Sequence, residues 1–183
     1  MQQDAQFAPH RRPSFSLRPT LPSDDDMLLR LEALLSGHFR NGRELSSGGA
    51  RSLARLLLTG RDAAWRAVWP DARCLAIEVD GTPVGRLWFD ASGDQWTLLD
   101  LALLPSHRGR GLGLAALREW LQTADDAGVP VGCRVRMDNP FILQLRCVGF
   151  VEGERRRGQM LVVRPVSAGC AWEWDEPTMP LAA

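Results

Sequence analysis

A glycine-rich basic turn lies near the middle of the chain, where two arginines and three glycines fall within residues 107–113, HRGRGLG. Glycines let backbone N–H groups approach a ligand closely, and arginine side chains attract anions. A leucine- and alanine-rich segment that is typical of a helix follows at once, and a helix N-terminus also attracts negative charge. The spacing therefore predicts an anion-binding turn.

Other interpretations of the turn explain the residues less completely. A Walker loop needs a lysine after its last glycine, and the chain contains no lysine. Gly111, Gly113 and Ala116 match the GxGxxA spacing of dinucleotide-binding turns, but only Asp138 is available, loosely, as the acidic residue that such a site needs. A purely structural role, in which the glycines tighten a strand-to-helix turn, is the third alternative.

Two carboxylates in apolar segments are candidates for proton transfer. Asp100 interrupts the apolar run 95–104, where a charge is costly unless it is paired or faces a water-filled cleft. It is interpreted either as a general base or as the ion-pair partner of Arg86. Glu78, in another apolar run, is the reserve candidate for the base.

Charge and hydropathy narrow the classes of function. The 183 residues have a formal net charge of zero, so no overall field attracts nucleic acid or an anionic membrane. No apolar run approaches the roughly 20 residues that a membrane-spanning helix needs. The sequence predicts a cytoplasmic protein that binds neither nucleic acid nor membranes.

Cysteine and histidine, the residue types that most often bind transition metals, are scattered along the chain. The cysteines form no CxxC pair and lie near no histidine cluster, so neither a metal site nor a disulfide framework is expected. Of the four cysteines, Cys147 is expected to pack in the core. The residues concerned are Cys74, Cys133, Cys147, Cys170, His10, His38 and His107.

Hydrophobic periodicity predicts a helical first part. Ser23 is the expected N-cap of the first helix, and Gly60 is a potential break in the second. The predicted elements are a strand over 15–19, a helix over 23–35, a turn-rich loop over 37–49 and a helix over 50–69.

Strands dominate the remainder. The sequence DGTP after residue 79 predicts a tight turn, and Asn139 is the expected N-cap of a late helix. The predicted elements are strands over 73–79, 83–89 and 95–104, a helix from 111 to a glycine cap at 128, a strand over 130–137, a helix from 139 to 149 and a hairpin over 150–164.

Four segments in this order resemble the GNAT acetyltransferases, over about residues 15–165. The segment LALLPSHRGRGLGLAAL resembles the acyl-CoA motif of that family, with Arg108, Gly111 and Gly113 at its spacing. The segment NPFILQLRCVGF resembles a later helix and strand start of the family. The segments DGTPVGRLWFD and LRPTLPSDDDMLLRL resemble its second and third strands and its opening strand and helix.

The resemblance implies a fold and a domain organisation. The expected fold class is α/β, an α+β mixed sheet of about six to seven mostly antiparallel strands flanked by about four helices. Residues 14–166 would form this GNAT-like domain. Residues 1–13 would be a flexible leader, and residues 167–183 an acidic extension that contains tryptophan.

The resemblance also implies a site. Acetyl-CoA would be the cosubstrate, and the acceptor would be an amine on a small molecule, a protein or a peptide. The strand residues would pair with the pantetheine arm and polarise the thioester, the turn would hold the pyrophosphate, and Asn139 would lie near the pantetheine, the leaving thiol or the helix start. The cofactor-binding residues would be Leu101, Ala102, Leu103, Arg108, Gly109, Arg110, Gly111, Leu112, Gly113 and Asn139. A homodimer is left open.

One departure from the family pattern bears on activity. Most relatives carry a tyrosine four residues before the Gly-Phe pair, and this chain has Leu145 there. Water or another group would then protonate the leaving thiolate, or the thiolate would leave unprotonated, or acyl transfer is lost. Two functions follow: an N-acyltransferase that works by direct attack in a ternary complex, and a degenerate module that binds coenzyme A or a partner without turnover.

Overall fold

Seven strands form one mixed sheet in the computed structural model, which describes residues 14–36 and 48–166. The strands are β1 (Phe15–Pro19), β2 (Arg73–Val79), β3 (Thr82–Asp90), β4 (Trp96–Leu103), β5 (Val131–Arg136), β6 (Val151–Arg156) and β7 (Gln159–Arg164). They lie in the order β1-β2-β3-β4-β5-β7-β6. Every neighbouring pair is antiparallel except β4 and β5, which are parallel.

Helices cover the sheet. They are α1 (Asp25–Leu35), α2 (Gly48–Val68), α3 (Leu112–Ala127) and α4 (Ile142–Arg146), with short 3-10 helices at Pro22–Asp24 and Pro105–His107. The predicted fold, a mostly antiparallel mixed sheet of six to seven strands with about four helices, is confirmed. The predicted leader 1–13, the extension 167–183 and most of the loop 37–49 lie outside the described residues.

Two tight turns close the hairpins. Asp80 and Gly81, between β2 and β3, have φ angles of 48° and 76°. Arg157 and Gly158, between β6 and β7, have φ angles of 48° and 79°. Positive φ at both central residues is what a two-residue type I′ turn requires. The predicted DGTP turn and the final hairpin therefore both form.

The sheet has a helix layer on each face. Ala76, Arg86 and Ala102 lie opposite one another on β2, β3 and β4, so their side chains share one face. Helix α1 packs on that face through Met27 and Leu31, which are buried with Ala76 and Ala102. This surface is called the α1 face below.

The opposite face packs against α3. Leu117, Trp120 and Leu121 of the helix are buried together with Leu87 and Leu98 of β3 and β4. Burying each such large apolar side chain contributes about 1.5–3 kcal/mol. This helix and the strand before it are thereby fixed relative to each other, which is what positions the glycine-rich turn between them.

Two helices differ from their predicted boundaries. Helix α2 runs from Gly48 to Val68 without a break at Gly60. A glycine inside a helix lowers the stability of the helix by about 1 kcal/mol relative to alanine. Unlike proline, it keeps its backbone N–H donor, so this 21-residue helix continues through it. Helix α4 is only five residues long, because Asn139 and Pro140 lie in the turn before it.

The start of α1 also differs from the prediction. Ser23 lies inside the preceding 3-10 helix, and α1 begins at Asp25. The buried Asp24 carboxylate instead accepts the Leu21 N–H at 2.7 Å and two hydrogen bonds from Arg18, at 2.7 and 2.9 Å. Because Asp24 binds both a backbone N–H and the charged Arg18, it stabilises this turn in place of Ser23.

Among the described residues, no helix is both long and apolar enough to cross a lipid bilayer.

Candidate active site

Strands β4 and β5 separate part-way along their length. Their pairing covers only Trp96–Leu98 of β4, and the last pair is Leu98 with Cys133. Strand β4 continues to Leu103, while β5 turns away and pairs along its length with β7. Within the described residues, no strand pairs with residues 99–103 of β4 on the β5 side. This gap is called the β4–β5 opening below.

A bulge in β4 lies where the opening begins. Trp88 of β3 is opposite Asp100, and its neighbour Phe89 is opposite Leu98, so Leu99 has no partner on β3. An extra residue of this kind bends a strand and increases its twist. The bulge therefore accounts for the departure of β4 from β5, and it directs Asp100 to the α1 face.

The backbone of β4 offers donors to the opening. The Leu104 N–H donates to the Val84 carbonyl at 2.9 Å, so Leu104 directs its backbone groups towards β3. Consecutive residues of a strand direct these groups to opposite sides, and residues two apart direct them to the same side. Ala102 therefore bonds to β3, whereas Leu101 and Leu103 direct their N–H groups into the opening. Of the three strand residues predicted to contact a cofactor, two thus direct their N–H groups there.

Strand β4 ends at a turn that requires glycine. After the 3-10 helix Pro105–His107, Gly109 and Gly111 have φ angles of 72° and 77°, in the left-handed region that favours glycine. A Cβ added at either position would have no atom within 4 Å, so both face open space. Arg108 ties the turn to β4 by donating from Nε to the Leu103 carbonyl at 2.7 Å.

The turn delivers an uncapped helix N-terminus. Helix α3 begins at Leu112 with Gly111 as its N-cap, and no side chain caps it. Its first backbone bond runs from the Ala115 N–H to the Gly111 carbonyl at 3.0 Å, so the N–H groups before residue 115 are not used within the helix. The side chains of Arg108 and Arg110 are exposed beside it. These groups together can bind a phosphate or pyrophosphate.

Asp100 is held by a buried arginine. Arg86 Nε donates to Asp100 Oδ2 at 2.9 Å, and Nη2 lies 2.9 Å from the same oxygen. The Arg86 side chain is 0% exposed and that of Asp100 is 18% exposed. The ion pair proposed from the sequence as an alternative therefore forms, and it engages the Oδ2 atom of the carboxylate.

Glu78 lies in a different cluster. Its Oε2 accepts a hydrogen bond from Arg18 Nε at 2.6 Å, and Arg18 also binds Asp24. The hydrogen bond from Arg18 holds the pKa of Asp24 below its usual range. Glu78 lies on β2, which β3 separates from β4, so the structure does not bring Glu78 and Asp100 together.

The segment after β5 contains the remaining predicted residues. Asn139 is exposed, and its Oδ1 accepts the Phe141 N–H at 2.9 Å. This bond does not use the NH2 group of the same side chain. Asp138, the loose candidate for a dinucleotide site, pairs with Arg136 at 2.8 Å. No group of three or more His, Cys, Asp or Glu side chains in residues 14–36 and 48–166 could hold a metal ion.

Leu145 and Cys147 point in opposite directions from α4. Leu145 is 1% exposed and packs in the core with Leu117, Trp120 and Phe150. The prediction that Cys147 packs in the core is wrong, because its side chain is exposed. Residues two positions apart in a helix point about 200° away from each other, so a helical turn that buries Leu145 directs Cys147 outward.

The sequence reasoning did not identify Glu32 and Arg61, which extend the charge cluster at Asp100. Glu32 is buried on α1 and binds Arg86 through Oε2 at 3.2 Å and Arg61 through Oε1 at 2.8 Å. A signal was present, because Glu32 follows Leu28 and Leu29 at the spacing of four and three residues that forms one face of a helix.

The model of the acetyltransferase (GNAT) family matches residues 50–145, which is more than half of the chain. The chain belongs to the GNAT acetyltransferase family. The match includes β4, the glycine turn and α3, so the predicted family is confirmed. The comparison with curated proteins gives no match.

Solved structures of acetyltransferases share the fold of this chain. An acetyltransferase from Thermus thermophilus is 26% identical, with a TM-score of 0.61 over 85% of this chain and 99% of that one. The PaiA N-acetyltransferase from Thermoplasma acidophilum in complex with coenzyme A is 16% identical, with a TM-score of 0.63 over 83% and 99%. The ribosomal-protein-S18-alanine N-acetyltransferase from Escherichia coli is 16% identical, with a TM-score of 0.62 over 88% and 100%.

Proposed function

We propose that the chain transfers an acetyl group from acetyl-CoA to an amine by direct attack in a ternary complex. The observation that carries the proposal is the continuity of two features: the β4–β5 opening ends at Leu103, and the uncapped N-terminus of α3 begins nine residues later. An extended ligand with an anionic end and an amide-rich arm fits this succession of backbone donors.

The glycine turn would hold the pyrophosphate of the cosubstrate. The N–H groups of Leu112 and Gly113 belong to the first turn of a 16-residue helix, whose dipole favours negative charge. Glycine at 109 and 111 leaves the approach to these groups open. Arg108 and Arg110 would add charge-assisted hydrogen bonds.

Strand β4 would align the acyl group. The N–H groups of Leu101 and Leu103 would bond to the pantetheine arm, and one of them would polarise the thioester carbonyl. The backbone groups of Ala102 bond to β3, so Ala102 would not contact the cosubstrate but would hold Leu101 and Leu103 in position. The side-chain amide of Asn139, on the other side of the opening after β5, would contact the pantetheine or the leaving sulfur.

Asp100 would accept the proton of the acceptor. An alkylamine has a pKa near 10 and is mostly protonated at neutral pH, so it must lose a proton before it attacks. Arg86 binds Oδ2, so Oδ1 would contact the amine directly or through one water. The remote Glu78 would serve only if Asp100 did not.

The leaving thiolate would depart without a tyrosine donor. Leu145 cannot give a proton and its side chain is buried. A thiol such as that of cysteine has a pKa near 8.5, so its thiolate is an adequate leaving group with modest assistance from solvent. The absence of a proton donor at position 145 supports a second function, a module that binds coenzyme A or a partner without turnover.

Binding and turnover, measured together, distinguish the acetyltransferase from a module that only binds coenzyme A. Acetyl-CoA binding, followed by calorimetry and by the melting temperature, is expected for both. Release of free coenzyme A in the presence of a panel of primary amines is expected only for the acetyltransferase. The panel should contain diamines, amino acids, aminoglycosides and peptides with a free N-terminus. Binding without release with any amine would favour the module.

A further inference from the structure

Arg86 is buried between two carboxylates on the α1 face. Its Nη2 lies 2.9 Å from Asp100 Oδ2 and 3.2 Å from Glu32 Oε2. Burial lowers the pKa of Arg86, but the charges of Asp100 and Glu32 outweigh burial and raise the pKa above its ordinary value. Arg86 therefore stays charged, and the two carboxylates share one guanidinium.

The pair of carboxylates is connected to α2. Arg61 Nη2 donates to Glu32 Oε1 at 2.8 Å, and the Arg61 guanidinium lies 5.6 Å from the centre of the Trp65 ring. The charges alternate in sign from the sheet to the helix, and only the two ends reach solvent, with 18% and 31% exposure. In order, the chain of contacts is Asp100, Arg86, Glu32 and Arg61.

Other ionisable groups around Asp100 do not replace this chain of contacts. Burial, opposed by Arg86 and reinforced by Asp100, raises the pKa of Cys74 on β2 to about 12, so this thiol is neutral at physiological pH. Asp62 on α2 binds Arg66 at 2.8 Å. The register of β5 places Arg134 on the α1 face too, but beyond the point where β5 leaves β4.

We propose that Glu32 and Arg61 are positioning residues that set the basicity of Asp100 through Arg86. Glu32 shares the Arg86 guanidinium with Asp100 and adds a second negative charge beside it, so it opposes the stabilisation of the Asp100 carboxylate by Arg86. Arg61 balances Glu32 and limits this effect. The inference rests on the proposed role of Asp100 as the base, and it assigns a reason for the buried charges of α1 and β3.

The proposal predicts opposite effects for two substitutions. Glu32→Gln removes a negative charge beside Arg86, so Arg86 stabilises the Asp100 carboxylate more strongly. Arg61→Gln removes a positive charge and lets Glu32 compete more strongly for Arg86. The midpoint of the Asp100 titration should fall by on the order of one pH unit in the first variant and rise by roughly half a unit in the second.

Carbon-13 NMR of the side-chain carboxyls measures these midpoints in the full chain, and Asp100→Asn assigns the signal by its loss. Arg55→Gln is the matched control, since Arg55 lies on α2 and binds the surface residue Asp25 at 2.5 Å. The control should leave the Asp100 midpoint unchanged. Arg61 is 31% exposed, so Arg61→Gln alone decides the matter if Glu32→Gln does not fold.

The outcomes separate this inference from the proposed function. Shifts in the same direction, or shifts no larger than that of Arg55→Gln, overturn the inference. Opposite midpoint shifts, together with matching shifts in the pH profile of kcat/KM for acetyl transfer to a primary amine, support both proposals. Opposite midpoint shifts with an unmoved kcat/KM profile support the electrostatic link and overturn the role of Asp100 as the base.

Discussion

Gly85 of β3 and Leu103 of β4 approach each other so closely that a Cβ on Gly85 would lie 2.4 Å from Leu103 Cδ2 and 2.6 Å from the Ala102 carbonyl oxygen. Real Cβ atoms do not come this near to other atoms, so an alanine at 85 must move the end of β4. Because that end forms one side of the β4–β5 opening, the geometry of the opening depends on this glycine.

We expect Gly85→Ala to destabilise the protein by about 1–3 kcal/mol through overpacking and to weaken acetyl-CoA binding. Gly60→Ala is the matched control, because a Cβ on Gly60 meets nothing within 4 Å. That change should stabilise α2 by about 0.5–1 kcal/mol and leave binding unchanged. Denaturant unfolding and calorimetry check both variants, and equal behaviour of the two would contradict the role of Gly85.

The glycine turn gives a second prediction. Gly111→Asp places a negative charge beside the amides that would hold the pyrophosphate, so acetyl-CoA should no longer raise the melting temperature. Gly93→Asp is the control, since Gly93 has a φ of 74° and equally open surroundings in the β3–β4 connection. It carries the same backbone strain but should keep the ligand-induced shift. Stabilisation of both variants by acetyl-CoA would remove the turn from the binding site.

Sequence patterns predicted the fold because local and long-range signals agreed. The Asp80–Gly81 turn, the apolar stripe of α3 and the glycines before it each indicate one structure, and the family resemblance orders them. The residues at which helices begin, end or break were harder to predict than the elements themselves. Gly60 carries a weak breaking signal that the surrounding 21-residue helix overrides, and Asp24 replaces Ser23 because its charged partner, Arg18, lies on the preceding strand and outside any capping pattern.

The site was only partly accessible from the sequence. The turn at 108–113 is a local motif, so its position was predictable, and Asp100 stood out as a charge in an apolar strand. Which partner Asp100 meets depends on the bulge at Leu99 and on the packing of α1. Neither a bulge nor the contact between Glu32 and Arg86 leaves a short-range pattern, so the connected charges appear only in the folded chain.

Asp100→Asn tests the proposed base directly. The variant keeps the shape of the side chain but loses its basic group, so kcat/KM should fall by about 10²–10⁴-fold while acetyl-CoA affinity is retained. Loss of the charged partner of Arg86 should also destabilise the fold by about 1–3 kcal/mol. Turnover is therefore measured well below the melting temperature of the variant.

The control for this substitution is Asp25→Asn, which breaks a surface ion pair with Arg55 and should leave turnover unchanged. A destabilised Asp100→Asn enzyme with near-normal kcat/KM would assign Asp100 a structural role only. The search for the base would then move to ordered water or to Glu78.

Leu145→Tyr should not restore the tyrosine that most relatives carry. The side chain at 145 is 1% exposed, and a larger polar side chain there should cost about 1–3 kcal/mol through overpacking, without bringing a hydroxyl to the leaving sulfur. Turnover per folded molecule should not rise. A variant with unchanged melting temperature and faster turnover would show instead that residue 145 reaches the reacting groups.

The ion pair of Arg18 and Asp24 should make the free energy of unfolding vary with pH in the acid range. The hydrogen bond from Arg18 lowers the pKa of Asp24 in the folded state, whereas an unfolded aspartate titrates near 3.9. A lowered folded-state pKa stabilises the fold above the unfolded value, and this contribution is lost as the pH falls through the folded value. Asp24→Asn should therefore lower the free energy of unfolding at pH 7, and the difference from the wild type should shrink below about pH 4.

Asp26→Asn is the comparison for this pH dependence. Asp26 also has a lowered pKa, chiefly through its hydrogen bond from Arg51, but its side chain is 48% exposed, so solvent screening should make its effect smaller. Urea unfolding of the wild type and the two variants at several pH values measures these differences. An Asp24→Asn difference that stays constant from about pH 7 to about pH 3 would show that the Asp24 charge does not stabilise the fold, because only a titrating contribution disappears in acid.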